Sequence, residues 1–265
     1  MGVGLTPPLP WRYVHASVKG TSHYASDTPC QDYSLVAPLS TRDGEPVLVL
    51  VAADGAGSAA QADVGARLAC SAFVEVVLSY LHDGGTVPSL TPTDAAAWIT
   101  HLVNRLATYA YGAEVNLRDL ASTFLAAVLG SSAAAYFQIG DGAIVVASND
   151  AYRPVFWPQS GDYANMTYFL TDETALETLQ FELTLESPDD IALLSDGLQM
   201  LALKYSTKEA HAPFFRPLFS RLRSEAEEQS ETLREGLVAW LESPAINRRT
   251  DDDKTLVLAT RRTSL

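Results

Sequence analysis

The chain has 265 residues, of which 47% are hydrophobic, 19% charged and 9% aromatic, a globular rather than disordered composition that suits one large single-core domain or at most two small ones. Its formal net charge of −14 excludes the basic footprint that a phosphate backbone requires, so no nucleic-acid partner is expected. Cys30 and Cys70 fit no zinc or CxxC spacing, Met1–Pro10 lacks a basic-then-apolar signal pattern, and no apolar run approaches the roughly 20 residues that span a bilayer, so the expectation is a cytoplasmic protein without disulfides or a membrane partner.

In chain order, a Gly- and Pro-rich lead-in precedes a predicted strand at Tyr13–Val18 and a turn-prone segment, Lys19–Asp32. A short apolar piece at Ser34–Ala37 and a turn at Thr41–Gly44, with Asp43-Gly44 as hairpin signal, lead to the apolar strand Val47–Ala53, which stops at Asp54-Gly55. Residues Ala62–His82 predict a helix, with Val64, Leu68, Ala72, Val76 and Tyr80 at i+4 spacing and Ala69, Phe73 and Val77 beside them. A loop from Asp83 to Pro92 precedes a second helix, Asp94–Val115, whose apolar face is Trp98, Leu102, Leu106 and Ala110.

Strands are predicted at Ser122–Leu129, Ala133–Ile139 and Ala143–Ala147, then an irregular stretch from Ser148 to Glu186 rich in aromatics, then the strand Ile191–Leu194 ending at Ser195-Asp196-Gly197. Helical patterning returns between Phe214 and Trp240, interrupted by Pro213 and Pro217, and Asp251-Asp252-Asp253 precedes a last strand, Leu256–Ala259. There is no repeat and no linker, so one domain over 1–265 is expected, with its motifs between 13 and 260. Strands in hairpin-like pairs, two consecutive helices and then strands again suit an α+β fold of antiparallel sheets flanked by helices, not a parallel βαβ sheet.

One pattern recurs. An apolar strand ends in Asp-Gly at Asp54-Gly55, at Asp141-Gly142 and at Asp196-Gly197, and the acidic triplet Asp251–Asp253 stands at the start of another strand. A single Asp-Gly is usually a hairpin turn. Several carboxylates gathered at one sheet edge cannot all stay ionised without a counter-charge. An all-oxygen cluster calls for a hard divalent cation, Mg²⁺ or Mn²⁺ rather than Zn²⁺. Glycine after each aspartate is expected to permit a sharp turn and the approach of a backbone carbonyl to a cation.

The ordered set Gly20-Thr-Ser-His23, Pro29-Cys-Gln31-Asp32, Ala53-Asp54-Gly55-Ala-Gly57, Ala121-Ser-Thr123, Ile139-Gly-Asp141-Gly142, Ser195-Asp196-Gly197 and Asp252-Asp253-Lys-Thr255 resembles the metal-dependent protein phosphatases of the 2C type, in a bacterial branch. The resemblance implies two stacked antiparallel β-sheets with helices outside, a four-layer αββα sandwich. It also implies hydrolysis of phosphoserine and phosphothreonine in proteins by a hydroxide that two cations activate, without a phosphoenzyme. Carried over by position, Asp54 bridges two Mn²⁺ or Mg²⁺ ions, Asp196 and Asp252 complete one ion's shell, and the Gly55 carbonyl serves the second. Asp141, with Asp196, matches a third, weaker ion position. Phosphorylated proteins are the implied partners, with a Ser/Thr kinase as the usual counterpart.

The chain departs from the family pattern at three places. Gln31-Asp32 replaces Glu-Asp, so Gln31 offers an oxygen but no charge, while Asp32 acts directly or through water. Asp27 stands where relatives carry a phosphate-gripping Arg, and His23 is the nearest substitute, with an ordinary turn hydrogen bond as its alternative role. Ala56 replaces a His that relatives carry after the first Asp-Gly. A catalytically weak regulator on the same fold, binding a phosphoprotein or kinase, is therefore the second reading. Asn165-Met-Thr167 falls in the flap region, Arg248 and Arg249 balance the acidic triplet or assist phosphate, and Cys30 is a small packing residue.

Overall fold

The near-continuous apolar runs of the sequence are strands buried on both faces. In β3 (Pro46–Ala53), Val47, Val49, Val51 and Ala53 face a helical layer, while Leu48, Leu50 and Ala52 face a second sheet. That double burial removes the polar alternation expected of a sheet with one wet face. The structure is a computed structural model that describes residues 10–26, 28–160, 167–224 and 231–262; Asp27, Tyr163, Asn165 and Met166 lie outside the described residues.

The other strands are β1 (Trp11–Val18), β2 (Tyr33–Ser40), β4 (Phe124–Leu129), β5 (Ala134–Ile139), β6 (Ala143–Ser148), β7 (Ala151–Pro154), β8 (Gln180–Thr184), β9 (Asp190–Leu194), β10 (Leu203–Lys204), β11 (Glu209–Ala210) and β12 (Lys254–Arg261). The helices are α1 (Ala62–His82), α2 (Pro92–Ala113), α3 (Ala175–Thr178), α4 (Gln199–Ala202), α5 (Ala212–Ser224), α6 (Glu231–Leu241) and α7 (Pro244–Asn247). One five-stranded sheet runs β1-β12-β9-β6-β7 and the other β2-β3-β4-β5-β8, and β10 and β11 form a small hairpin. Every pairing is antiparallel.

Three apolar layers bind these elements into the αββα sandwich. Leu50, Leu125, Ile144, Leu193 and Val257 fill the space between the sheets. Helices α1 and α2 pack on the outside of one sheet, where Phe73 meets the rings of Trp98, Phe124 and Phe137 at centroid distances of 5.7, 5.2 and 5.1 Å. Helices α5 and α6 cover the other through Phe215, Phe219, Leu237 and Leu241. Each such side chain, fully buried, contributes about 1.5–3 kcal/mol of transfer free energy.

Several expectations need correction. The buried face of α1 centres on Ala62, Ala66, Ala69, Phe73 and Val77, and the row Val64, Leu68, Val76, Tyr80 is only half-buried against its flank. The same helix has the length and mean hydropathy, 1.5, of a membrane span, contrary to the sequence reading; here its apolar side is spent on the sheet. Pro213 and Pro217 lie within α5 and do not interrupt it. Pro217 forgoes only the N–H that would reach residue 213 in the first turns. The stretch 148–186 read as irregular contains the edge strands β7 and β8 and the short helix α3.

Candidate active site

Strand register brings the aspartates together. Tyr33 pairs with Ala53, so Asp32, just before β2, lies beside Asp54, just after β3. Ala143 and Leu256 both pair with Leu194, so Asp141, Asp196 and Asp252, each two residues beyond a strand end, gather at the same edge of the other sheet. Asp54, Gly55, Asp141, Asp196 and Asp252 line one cavity of about 220 Å³ with His23, Gln31, Thr123, Thr167, Phe169 and Asp253. No Lys or Arg lines it among the described residues, and Arg248 and Arg249 stand outside it.

Hydrogen bonds lock the strand ends across the sandwich. Ser195 Oγ donates to Asp32 Oδ2 at 2.7 Å and accepts from the Thr255 N–H at 2.9 Å, joining the two sheets. The Thr123 N–H donates to the Asp54 carbonyl at 2.8 Å, and the Asp54 N–H donates to Thr123 Oγ1 at 3.1 Å. Asp253 is 3% exposed and does not present a free carboxylate to the cavity. Its Oδ1 accepts from the Gly20 N–H at 2.6 Å and sits 3.0 Å from His23 Nδ1, while Oδ2 accepts from the Gln31 N–H at 2.6 Å. Buried Lys254 donates from Nζ to the Asp252 carbonyl at 3.2 Å and to Asn247 Oδ1 at 3.1 Å.

The glycines after the aspartates serve close approach, and none of Gly55, Gly142 and Gly197 has a positive φ. A Cβ on Gly197 would overlap the Asp253 carbonyl oxygen, and one on Gly55 would stand 2.7 Å from both the Gln31 carbonyl oxygen and Ala62 Cβ. The expected sharp turn is therefore replaced by a packing requirement. Left-handed backbone does occur at Gly140, with φ of 102°, immediately before Asp141.

The carboxylates are crowded, with Asp32 buried, Asp54, Asp141 and Asp196 half-buried and Asp252 exposed. Burial, then the charges of Asp32 and Asp196, hold the Asp54 carboxyl well above the usual carboxylate range. Burial pushes Asp32 up to about 7 against the hydrogen bond from Ser195, and burial with the Asp196 charge pushes Asp141 up to about 6. Asp252, exposed as a residue, is raised by partial desolvation of its carboxyl and by the Asp196 charge. Asp32 Oδ1 and Asp196 Oδ1 are buried without any protein partner. Among the described residues no three of these side chains are already drawn into one coordination group; they stand around the cavity with oxygen atoms unspent. Crowded all-oxygen donors, with two buried oxygens left without a partner, fit a hard divalent cation, which would supply the missing counter-charge.

A family model described as protein phosphatase 2C matches residues 19–242. The chain belongs to the protein phosphatase 2C family. Serine/threonine-protein phosphatase 3 of Escherichia coli (strain K12) is 39% identical over 251 residues, which are 95% of this chain and 98% of that protein. Among solved structures, serine/threonine phosphatase Stp1 from Staphylococcus aureus superimposes with a TM-score of 0.61 at 14% identity, over 99% of each chain. The catalytic domain of serine threonine protein phosphatase PstP, in complex with 2 manganese ions, gives 0.60 at 15% identity, over 96% of this chain and 99% of that one. At such identities the two structures speak for the protein phosphatase 2C fold.

Of the site residues read from the sequence of this protein phosphatase 2C member, Asp54, Gly55, Asp141, Asp196, Asp252 and His23 line the cavity. Asp32 does not line it and lies behind the wall, tied to Ser195. Sequence reasoning missed Asp253, Ser195, Thr123 and Lys254 as the residues that hold the strand ends. The acidic triplet signalled Asp253, but nothing in it tells which carboxylate turns inward. Cys30 is half-buried with Sγ 3.6 Å from the Asp32 carbonyl, and burial keeps its thiol protonated, in line with a packing role.

Proposed function

We propose that this protein is a divalent-cation-dependent phosphatase that hydrolyses phosphoserine and phosphothreonine in proteins. The observation that carries the reading is the convergence of Asp54, Asp141, Asp196 and Asp252 on a cavity with no lysine or arginine among its described lining residues, beside buried carboxylate oxygens without protein partners. Membership of the protein phosphatase 2C family and the 39% identical relative, named a serine/threonine-protein phosphatase, support the same chemistry.

In this reading Asp54, Asp196, Asp252 and the Gly55 carbonyl would hold two Mn²⁺ or Mg²⁺ ions, and Asp141 with Asp196 would hold a weaker third. When bound, such ions activate water and neutralise charge on the phosphoryl oxygens. Thr123 fixes the backbone of Asp54, and Lys254 fixes that of Asp252, so both carboxylates are oriented in advance. Asp32 acts from behind the wall, its Oδ2 engaged by Ser195. His23 is the only basic side chain on the described cavity wall, held through Nδ1 by Asp253, and we assign it to the substrate phosphate.

Hydrolysis of a phosphothreonine peptide with Mn²⁺, with Mg²⁺ and with chelator tests the reading. Release of phosphate with Mn²⁺ and its loss on chelation are expected. Turnover that survives chelation would overturn cation dependence, and peptide binding without turnover would turn the assignment toward a regulator.

A further inference from the structure

The Gly140–Asp141 turn is gripped from both sides by glutamine side chains. The Gly140 N–H donates to Gln159 Oε1 at 2.6 Å, the Gln159 N–H donates back to the Gly140 carbonyl at 3.2 Å, and Gln159 Nε2 donates to the Thr178 carbonyl at 2.6 Å. On the other side, Gln199 Nε2 donates to the Asp141 carbonyl, and Tyr205 OH donates to Gln199 Oε1 at 2.5 Å. Tyr205 meets Trp157 edge-on at a centroid distance of 5.1 Å, and Trp157 stands two residues before Gln159 in the chain. The contacts close into a ring that runs from Gln159 through the turn, Gln199, Tyr205 and Trp157 back to Gln159.

Gln199 stands three residues beyond Asp196 and opens α4, directly after the turn that leaves β9. Its amide is thus a strut between the turn that carries Asp196 and the turn that carries Asp141, both of which line the cavity. Three features suit that task. The amide is uncharged, so it does not neutralise the carboxylates as a lysine or arginine would. It donates to a main-chain oxygen and leaves the Asp141 carboxylate oxygens to the cavity. The Tyr205 hydroxyl, engaged with Oε1, fixes which end of the amide faces Asp141 and removes the two-fold choice that an unbraced amide would have.

We propose that Gln199, braced by Tyr205 from the β10–β11 hairpin, is a positioning residue that sets the separation of the Asp141 and Asp196 carboxylates and thereby the affinity of that side of the cavity for a divalent cation. The inference rests on the cation-dependent reading above.

Calorimetric titration of the full chain with MnCl₂ alone, without substrate, tests it on Gln199→Leu, Tyr205→Phe, Asp141→Ala and the two doubles with Asp141→Ala. Gln199→Leu is expected to weaken the weakest class of Mn²⁺ sites roughly tenfold, the scale of outer-shell partners of a metal ligand. Tyr205→Phe, a partly exposed position that removes one hydroxyl, is expected to act in the same direction and less. In the Asp141→Ala background neither change should weaken Mn²⁺ binding further, and peptide hydrolysis by Gln199→Leu should recover at high Mn²⁺. Full additivity with Asp141→Ala, or unchanged Mn²⁺ titrations of both single variants, would overturn this proposal alone. An unaltered chain that binds no Mn²⁺ would overturn the cation reading and this proposal with it.

Discussion

Asp190 opens β9, and Asp196 stands two residues past its other end, so one short strand carries a fully buried carboxylate at one edge of the sandwich and a half-buried one at the other. At the far edge Asp190 is fully enclosed and each of its oxygens has a partner, although burial still raises its carboxyl above the usual range. Thr260 Oγ1 donates to Oδ1 at 2.6 Å, Tyr152 OH donates to Oδ2 at 3.2 Å, and the Arg223 guanidinium pairs with the same oxygen. Tyr152 in turn stacks on Phe215 and Phe219 of α5, so this carboxylate pins a helix to its sheet. At the near edge Asp196 Oδ1 is buried with no protein partner and faces other carboxylates across a cavity. The residue type is the same and the strand is the same; the two differ in whether the protein supplies hydrogen-bond partners and a counter-charge itself.

The sharpest way to break that contrast is to neutralise each end in turn. Asp196→Asn, like Asp54→Asn, is expected to lower peptide hydrolysis by more than about a hundredfold, beyond the usual worth of an outer-shell partner. Because it removes one of several crowded like charges, it should leave the unfolding midpoint in chelator unchanged or raised. Asp190→Asn should do the reverse, retaining turnover per folded molecule while costing about 1–3 kcal/mol of stability from weakened buried hydrogen bonds. The Arg223 share of that cost is discounted because its side chain is 41% exposed. Urea titration and steady-state rates on the same preparations decide it, and a folded Asp196→Asn that keeps most of its rate would dissolve the distinction.

Asp253 belongs to neither end. It touches the cavity wall, yet its carboxylate is spent on Gly20, Gln31 and His23, as Asp190's is on its own partners. In Asp253→Asn one of the two backbone donors must face an amide NH₂. The expected cost is about 1–3 kcal/mol of stability and a loss of roughly tenfold in turnover, the scale of outer-shell partners. A stability loss without any change in rate would class Asp253 with Asp190; a collapse in rate at full stability would class it with Asp196.

How much of this was legible in the sequence follows from burial. Strands β3, β4, β5 and β9 are covered on both faces and announce themselves as apolar runs, and the Asp-Gly steps mark where they end. The antiparallel order then follows, and with it the gathering of Asp54, Asp141, Asp196 and Asp252. The edge strand β8, Gln180–Thr184, is half-buried along its length and mixes Gln, Glu and Thr with its two apolar residues, so it is lost among neighbouring aromatics and turns. The locks of the site were hidden for a different reason. Ser195 to Asp32, Gln31 to Asp253 and Gln199 to Asp141 join residues 163, 222 and 58 positions apart, and a single polar side chain has no period to betray its partner. Asp32 illustrates the limit: its motif was read, but that it faces Ser195 rather than the cavity depends on the packing of one sheet against the other.

A smaller effect sharpens the comparison without touching a residue. Burial raises Asp54 and Asp252 above the usual carboxylate range and takes Asp141 to about 6 and Asp32 to about 7. Between about pH 4 and 7 the native chain therefore holds protons that the unfolded chain has already released. Stability in chelator should then fall as pH rises through this window, by about 1.4 kcal/mol per pH unit for each group that titrates fully. Asp190, which burial raises despite its partners, adds to the fall, while His15, lowered by burial, and exposed Glu231, lowered by its hydrogen bond with Arg234, work in the opposite sense. With saturating Mn²⁺ the trend should flatten or reverse, because a cation displaces those protons and binds better as they leave. Urea midpoints at pH 5, 6, 7 and 8, with chelator and with Mn²⁺, measure both slopes. A midpoint in chelator that rises from pH 5 to 7 would mean that the near-edge carboxylates are already ionised against partners within the protein.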